Sequence, residues 1–202
     1  MKLYYSPGAC SLSPHIALLE AGLPYDLVKV DLKAKKLENG DDYLKVNPKG
    51  QVPALGLDNG ELVTEGPVIV QMIADKAAAK NLAPSRDSAE RYKLQEWLNF
   101  ITSEIHKSFT PLFTPGTPEE TKATYKARLS TRFSYVNDQL AGKHYLMGDD
   151  FTVADAYLFT VANWARNVGP DFSALPNLVA YMARVAARPA VQAAMKAEGL
   201  LK

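Results

Sequence analysis

The chain has 202 residues, 47% of them hydrophobic and 22% charged, with 23 basic and 22 acidic side chains and a formal net charge of +1; this is the composition of a folded protein with one large domain or two small ones, and it excludes global disorder. The near-neutral balance leaves no electrostatic footprint for nucleic acid or an anionic membrane, Lys35-Lys36 being the nearest thing to a basic run, and no stretch nears the roughly 18 apolar residues of a membrane span. One cysteine, Cys10, allows no intrachain disulfide and suits a reducing cytoplasm; with three scattered histidines (His15, His106, His144) it makes no recognisable metal cluster, and the opening residues read as lacking a secretory leader.

In chain order, Lys2–Tyr5 is β-prone and is followed by the turn cluster Ser6-Pro7-Gly8. Residues 11–21 carry Leu12, Ile16 and Leu18 or Leu19 at helical spacing. Ser11 or Ser13 is available as cap, Pro14 lies in the first turn, and Gly22 stands where a left-handed residue closes a helix. Leu27–Val30 is a second strand, completing a βαβ unit. Residues 33–51 are polar, with one helical turn expected near Asp42–Val46. Asp58-Asn59-Gly60 between Ala54–Leu57 and Glu61–Thr64 is a hairpin signal, and a helix follows from Gly66 or Pro67 to Lys76. The order βαβ then ββα matches a thioredoxin-like fold. Beyond a linker at 78–88 no strand pattern appears. Helices are expected over Ser88–Thr110, stopping before Pro111, then over Glu119–Leu140, Thr152–Asn167, Leu175–Ala187 and Pro189–Ala197. The expected organisation is α/β plus all-α: a thioredoxin-like domain over 1–77, the linker over 78–88 and a helical bundle over 89–202.

Cys10 falls between the first strand and the first helix, where helix amides favour a thiolate; the alternative is an inert buried cysteine. Ser13 stands where a dithiol motif would need its second cysteine, so only monothiol chemistry is open to Cys10. Val52-Pro53 enters a strand from a loop. In a thioredoxin-like fold this proline is cis and the residue before it offers its backbone to an extended peptide; taken alone, the dipeptide favours the ordinary edge proline. Glu65-Gly66-Pro67 opens a helix, so its amides suit a carboxylate and Glu65 an ammonium group, the two ends of an α-amino acid; a surface Glu before a helix is the other reading. On the long helix Asn99, Ser103 and His106 share one face, roughly opposite Trp97, Leu98, Ile101 and Ile105. That face either meets solvent or walls a cleft.

The chain resembles the bacterial beta-class glutathione transferases over essentially its whole length. The resemblance rests on Met1-Lys-Leu-Tyr-Tyr-Ser-Pro-Gly-Ala-Cys10-Ser-Leu, Asn47-Pro-Lys-Gly-Gln-Val-Pro53-Ala-Leu, Thr64-Glu-Gly66, Glu96-Trp-Leu-Asn99, Ser103-Glu-Ile-His106-Lys and Phe151-Thr-Val-Ala-Asp155-Ala-Tyr, in order and at matching spacing. It implies glutathione as cosubstrate in an interdomain cleft, with no permanently bound cofactor and no metal. It implies that Val52 pairs with the cysteinyl backbone beside a cis Pro53, that Glu65 and Gly66 hold the γ-glutamyl end, and that Lys35 meets the glycyl carboxylate. Asn99 and His106 would line the site from the helical domain. The family is dimeric, so Ser103 and Glu104 would reach a partner's glutathione. Thr152 and Asp155 resemble the family's capping box, a folding feature. Gly66 departs from the Ser that many transferases carry. Other classes activate the sulfur with a Tyr or Ser hydroxyl, and Tyr4, Tyr5, Ser6 and Ser11 keep that route open, although the beta-class pattern favours Cys10.

The implied activity is detoxifying conjugation of the glutathione thiolate, assisted by Cys10 and His106, to a small, largely apolar electrophile. Lowering a thiol pKa by about two units takes about 2.7 kcal/mol, and a helix terminus supplies only about 0.3–1 kcal/mol, so additional donors are required. Phe109, Phe113 and Trp164 are available for an apolar pocket. The rivals are disulfide or peroxide chemistry through a mixed disulfide at Cys10 and a non-catalytic binding module. The expected partners are glutathione, the electrophile and a second copy of the chain in the cytoplasm, with neither nucleic acid nor membrane.

Overall fold

A computed structural model describes residues 1–201. By contacts the chain divides into two compact units, Met1–Ala83 together with the tail from Arg188 onward, and Pro84–Ala187. The tail therefore goes with the first unit, where the linear boundary at 89 had assigned it to the helical one. Long-range contacts account for this: Arg188 makes a forked ion pair with Glu20 at 2.6 and 2.9 Å, and buried Glu198 reaches His15 at 2.8 Å.

The first unit contains β1 (Lys2–Tyr5), α1 (Leu12–Ala21), β2 (Asp26–Asp31), β3 (Lys36–Leu37), β4 (Ala54–Gly56), β5 (Leu62–Thr64) and α2 (Gly66–Lys76). The sheet runs β3-β2-β1-β4-β5, with β1 and β2 parallel and the other pairs antiparallel. This is the thioredoxin-like βαβ–ββα arrangement expected. Leu3 and Leu55 face each other in register and are fully buried, as are Ile16 of α1 and Ile69 and Ile73 of α2. By the two-residue strand period Tyr4 points the other way, where it packs with Val30, Tyr43 and Val52. The two-residue β3 is too short to leave an alternating pattern in a polar stretch. The turn expected near Asp42 is a 3₁₀ turn over Tyr43–Lys45, with the Asp42 carboxylate accepting from the Leu44 amide at 2.9 Å.

Neither serine caps α1 with its side chain. Ser11 instead closes the preceding turn, accepting from the Ser6 amide and donating to the Ser6 carbonyl, and the Ser13 hydroxyl is buried without a partner. Helix α9 (Pro189–Ala197) completes this unit and packs on α1.

The second unit is helical: α3 (Ala89–Phe100), α4 (Lys107–Phe113), α5 (Glu119–Gln139), α6 (Val153–Ala162), α7 (Ala165–Val168) and α8 (Pro176–Ala186). Every residue of α6 is buried, which makes it the central helix. The expected single helix from Ser88 to Thr110 is interrupted by a π-helical segment over Ile101–His106. There the hydroxyls of Thr102 and Ser103 donate to the carbonyls of Leu98 and Asn99 at 2.8 and 3.0 Å, competing with the regular ladder. The helix then runs through Pro111 to Phe113; the missing amide at Pro111 removes only the bond to the Lys107 carbonyl. The expected Thr152–Asn167 helix likewise breaks after Ala162, where the Asn163 amide group donates to the Phe159 carbonyl.

Candidate functional site

In the first unit the sequence-flagged residues gather around the loop Asn47–Pro53. Asn47 is buried and organises this loop: its side chain donates to the Gln51 carbonyl at 2.8 Å and accepts from the Lys49 amide, while its carbonyl accepts from Gly50. The Tyr43 hydroxyl also donates to the Gln51 carbonyl at 2.8 Å. The Val52–Pro53 peptide at the end of the loop is cis. The Cys10 thiol, one residue before the Ser11 cap of α1, donates to the Val52 carbonyl at 3.1 Å. Gly66 lies on the far side of the proline, where an added Cβ would stand 3.7 Å from Pro53 Cγ.

Glu65, which precedes α2, has φ 70 and ψ 108, a left-handed φ that a side chain with Cβ rarely adopts and that accompanies functional sites. Its carboxylate does not cap the helix. It pairs instead with Lys49 at 2.6 Å, and the same ammonium donates to the Thr64 hydroxyl at 3.0 Å. Lys35 is also at positive φ, 56, and donates to the Gly50 carbonyl at 2.7 Å. Cys10, Lys35, Val52, Pro53, Glu65 and Gly66 are thus all anchored on or beside one loop. Lys49 and Asn47 belong to the same constellation and carried no separate signal beyond the Asn-Pro-Lys-Gly turn itself.

In the second unit Asn99, Ser103, Glu104 and His106 do not share one environment. Asn99 and Ser103 are exposed. The His106 ring lies partly buried against Trp164, 5.0 Å between centroids, with Nδ1 at 2.6 Å from the Tyr157 hydroxyl. Burial first, and the Lys107 charge second, lower its pKa to about 4, so the imidazole is neutral near pH 7. Trp164 meets Phe109 and Phe113 edge-on at 5.5 and 5.7 Å; the three aromatics singled out in the sequence form one cluster with His106. Glu104 accepts from Arg132 at 2.7 Å and from Arg128 at 3.0 Å, and these two α5 guanidinium groups hold its carboxyl below the usual range. Tyr157, Arg128 and Arg132 lie far away in sequence, so no spacing could reveal them.

Asp155 belongs to the scaffold. Its buried carboxylate accepts from the amides of Leu146 and Thr152 at 2.9 and 2.8 Å and from the hydroxyls of Thr152 and Tyr181, the capping box expected from Thr152-Val-Ala-Asp155. Among the described residues no group of three or more His, Cys, Asp or Glu could hold a metal ion, and no helix is long and apolar enough to cross a membrane.

Comparison with known proteins agrees with this architecture. The glutathione S-transferase N-terminal domain model matches residues 8–76, and the C-terminal domain model matches residues 100–189. The chain is 54% identical over 200 residues to the glutathione S-transferase GstA of Escherichia coli O157:H7, covering 99% of this chain and 100% of that one. Among solved structures, a beta-class glutathione S-transferase of Sphingomonas chungbukensis is 51% identical with a TM-score of 0.96, all of both chains being covered. A sphingomonad glutathione S-transferase complexed with glutathione is 50% identical, again with a TM-score of 0.96 and full coverage of both chains. The chain belongs to the glutathione S-transferase family, in its bacterial beta class.

Proposed function

We propose that this protein conjugates the thiolate of glutathione to small, largely apolar electrophiles, with glutathione as a cosubstrate rather than a resident cofactor. The observation that carries the reading is the convergence of Cys10, Val52, Pro53, Gly66 and Glu65 on one loop, a thiol at one end and a carboxylate at the other. Glutathione is an extended peptide. Val52 offers it a backbone partner. The α2 amides suit its γ-glutamyl carboxylate, Glu65 suits its ammonium group, and Lys35 suits the glycyl carboxylate. A glutathione complex of a chain half identical to this one supports the assignment.

The Cys10 S–H, a donor in the structure, is the proposed stabiliser of the glutathione thiolate, and neutral His106 is the second donor. The Tyr157 hydroxyl lies 2.6 Å from Nδ1; in the tautomer where it donates to Nδ1, the neutral imidazole carries its proton on Nε2 and has it to give. A Cys10 that donates to the Val52 carbonyl fits a donor to a neighbouring sulfur better than a nucleophile forming its own mixed disulfide. The aromatic cluster of Phe109, Phe113 and Trp164 is the proposed apolar surface for the electrophile. The working form is proposed to be a cytoplasmic homodimer acting in detoxification, with Asn99 lining the site and exposed Ser103, beside Glu104, turned toward the partner.

The test is glutathione-dependent conjugation of a chlorinated nitroarene by wild type, Cys10→Ser and His106→Ala. Wild-type turnover, reduced by about tenfold or more in either variant, supports the reading. Glutathione binding without turnover, together with disulfide reduction that Cys10→Ser abolishes, replaces it with mixed-disulfide chemistry. No binding at all replaces it with a non-catalytic module.

A further inference from the structure

The last helix supplies a buried carboxylate that the proposed mechanism does not use. Helix α9 ends at Glu198 in a turn that reverses the chain: Gly199, at φ 72, donates to the Lys196 carbonyl, and the Leu200 amide donates to Met195 at 2.8 Å. This is the Schellman pattern, which needs a left-handed residue after the helix and brings the next side chain back onto the fold. The Glu198 side chain is wholly buried. One oxygen accepts from the Gly8 amide at 2.9 Å, and the other meets His15 Nδ1 on α1 at 2.8 Å. Leu200 covers the same place, its Cδ2 standing 3.3 Å from where a Cβ on Gly8 would be. Gly8 itself has φ 71, a turn that any other residue would strain.

Gly8 lies in the turn that delivers Cys10, in which the Ala9 amide donates to Ser6 and the Leu12 amide to Ala9. Glu198 therefore grips both flanks of Cys10, the turn before it at Gly8 and the helix after it at His15. The carboxylate also sits among aromatics: the His15 ring packs edge-on to Tyr25 at 5.6 Å and tilted to Tyr5 at 6.4 Å. Burial first, and the neighbouring Glu198 after it, raise the hydroxyl pKa of both tyrosines.

We infer that Glu198 is a positioning residue for Cys10: through Gly8 and His15 the C-terminal helix sets where the thiol sits. This rests on the reading of Cys10 as the group facing the glutathione sulfur. A structural staple alone would lower stability and leave the thiol where it is. A positioning residue alters how Cys10 reacts when it is removed.

The experiment compares wild type, Glu198→Gln and Glu198→Asp by thermal unfolding, by the rate at which iodoacetamide alkylates Cys10 without glutathione, and by glutathione half-saturation. Gln keeps the shape and loses the charge. Asp keeps the charge but is too short to span Gly8 and His15, and it serves where the Gln variant does not fold. The inference expects Cys10, released from Val52, to be alkylated about fivefold faster, with half-saturation raised by a similar factor. A lowered thermal midpoint with unchanged alkylation and half-saturation overturns it. The alkylation arm needs no glutathione. Failure of the transferase reading would appear as absent glutathione binding in wild type and leave that arm to decide.

Discussion

Helices α6 and α2 begin in opposite ways. At α6 the Asp155 carboxylate is buried, takes four hydrogen bonds, and ties Thr152 and the Leu146 turn to the helix start. At α2 Glu65 is exposed, held at φ 70, and leaves the helix without a side-chain cap. The first arrangement consumes the polar groups of a helix N-terminus and converts them into stability. The second leaves them for something else, at a backbone cost of order 1–3 kcal/mol. The same local chemistry thus builds a scaffold in one unit and a candidate ligand site in the other.

Exchanging the carboxylates for neutral residues should separate the two roles. Asp155→Ala leaves the Leu146 and Thr152 amides buried without an acceptor and should cost about 3 kcal/mol in unfolding free energy, read by denaturant titration, with glutathione half-saturation of the surviving folded protein unchanged. Glu65→Gln should do the reverse. It removes only an exposed ion pair with Lys49, worth at most about 1 kcal/mol, yet should raise glutathione half-saturation about tenfold. A large stability loss at Glu65, or a large binding loss at Asp155, would break the comparison.

Acid pH sharpens it from the side of the helical unit. His106 is lowered to about 4 from 6.5, so the unfolded chain binds its proton more readily. Its stability contribution is complete above pH 6.5 and is lost as pH falls toward 4. His106→Asn should flatten this part of the stability curve, and the wild-type activity profile should show no His106 titration near pH 6.5. Asp155, raised to about 6 by burial, acts in the opposite sense: its folded form binds the proton more readily, so stability falls as pH rises from the ordinary carboxyl range through about 6. Asp155→Asn should remove that part.

The smallest expected effect is at Gly66. A Cβ there makes only ordinary contact with Pro53, so Gly66→Ser should fit, add a hydroxyl beside the α2 amides and lower glutathione half-saturation by about threefold. Unchanged or weakened binding would place the γ-glutamyl end elsewhere.

Much of this was legible in the sequence, because local signals govern it. Asn59-Gly60 gave the hairpin, Pro67 the start of α2, Gly22 the end of α1 at φ 66, and Thr152–Asp155 the capping box. Most of the misses depend on partners distant along the chain. The π-helical segment through Ile101–His106 follows no 3.6-residue period, and the position of His106 depends on Tyr157 and Trp164. Helix α9 looks like any other amphipathic helix until Glu198 and Arg188 meet His15 and Glu20. Lys49 is one lysine of several until the fold brings it to Glu65.

The most direct measurement is calorimetric titration of glutathione into wild type, Glu65→Gln and Asp155→Asn, each shown to be folded. The account predicts saturable binding in wild type, about tenfold weaker binding in Glu65→Gln, and wild-type affinity in Asp155→Asn despite its lower stability. Equal affinity in wild type and Glu65→Gln, or no binding in wild type, would contradict it.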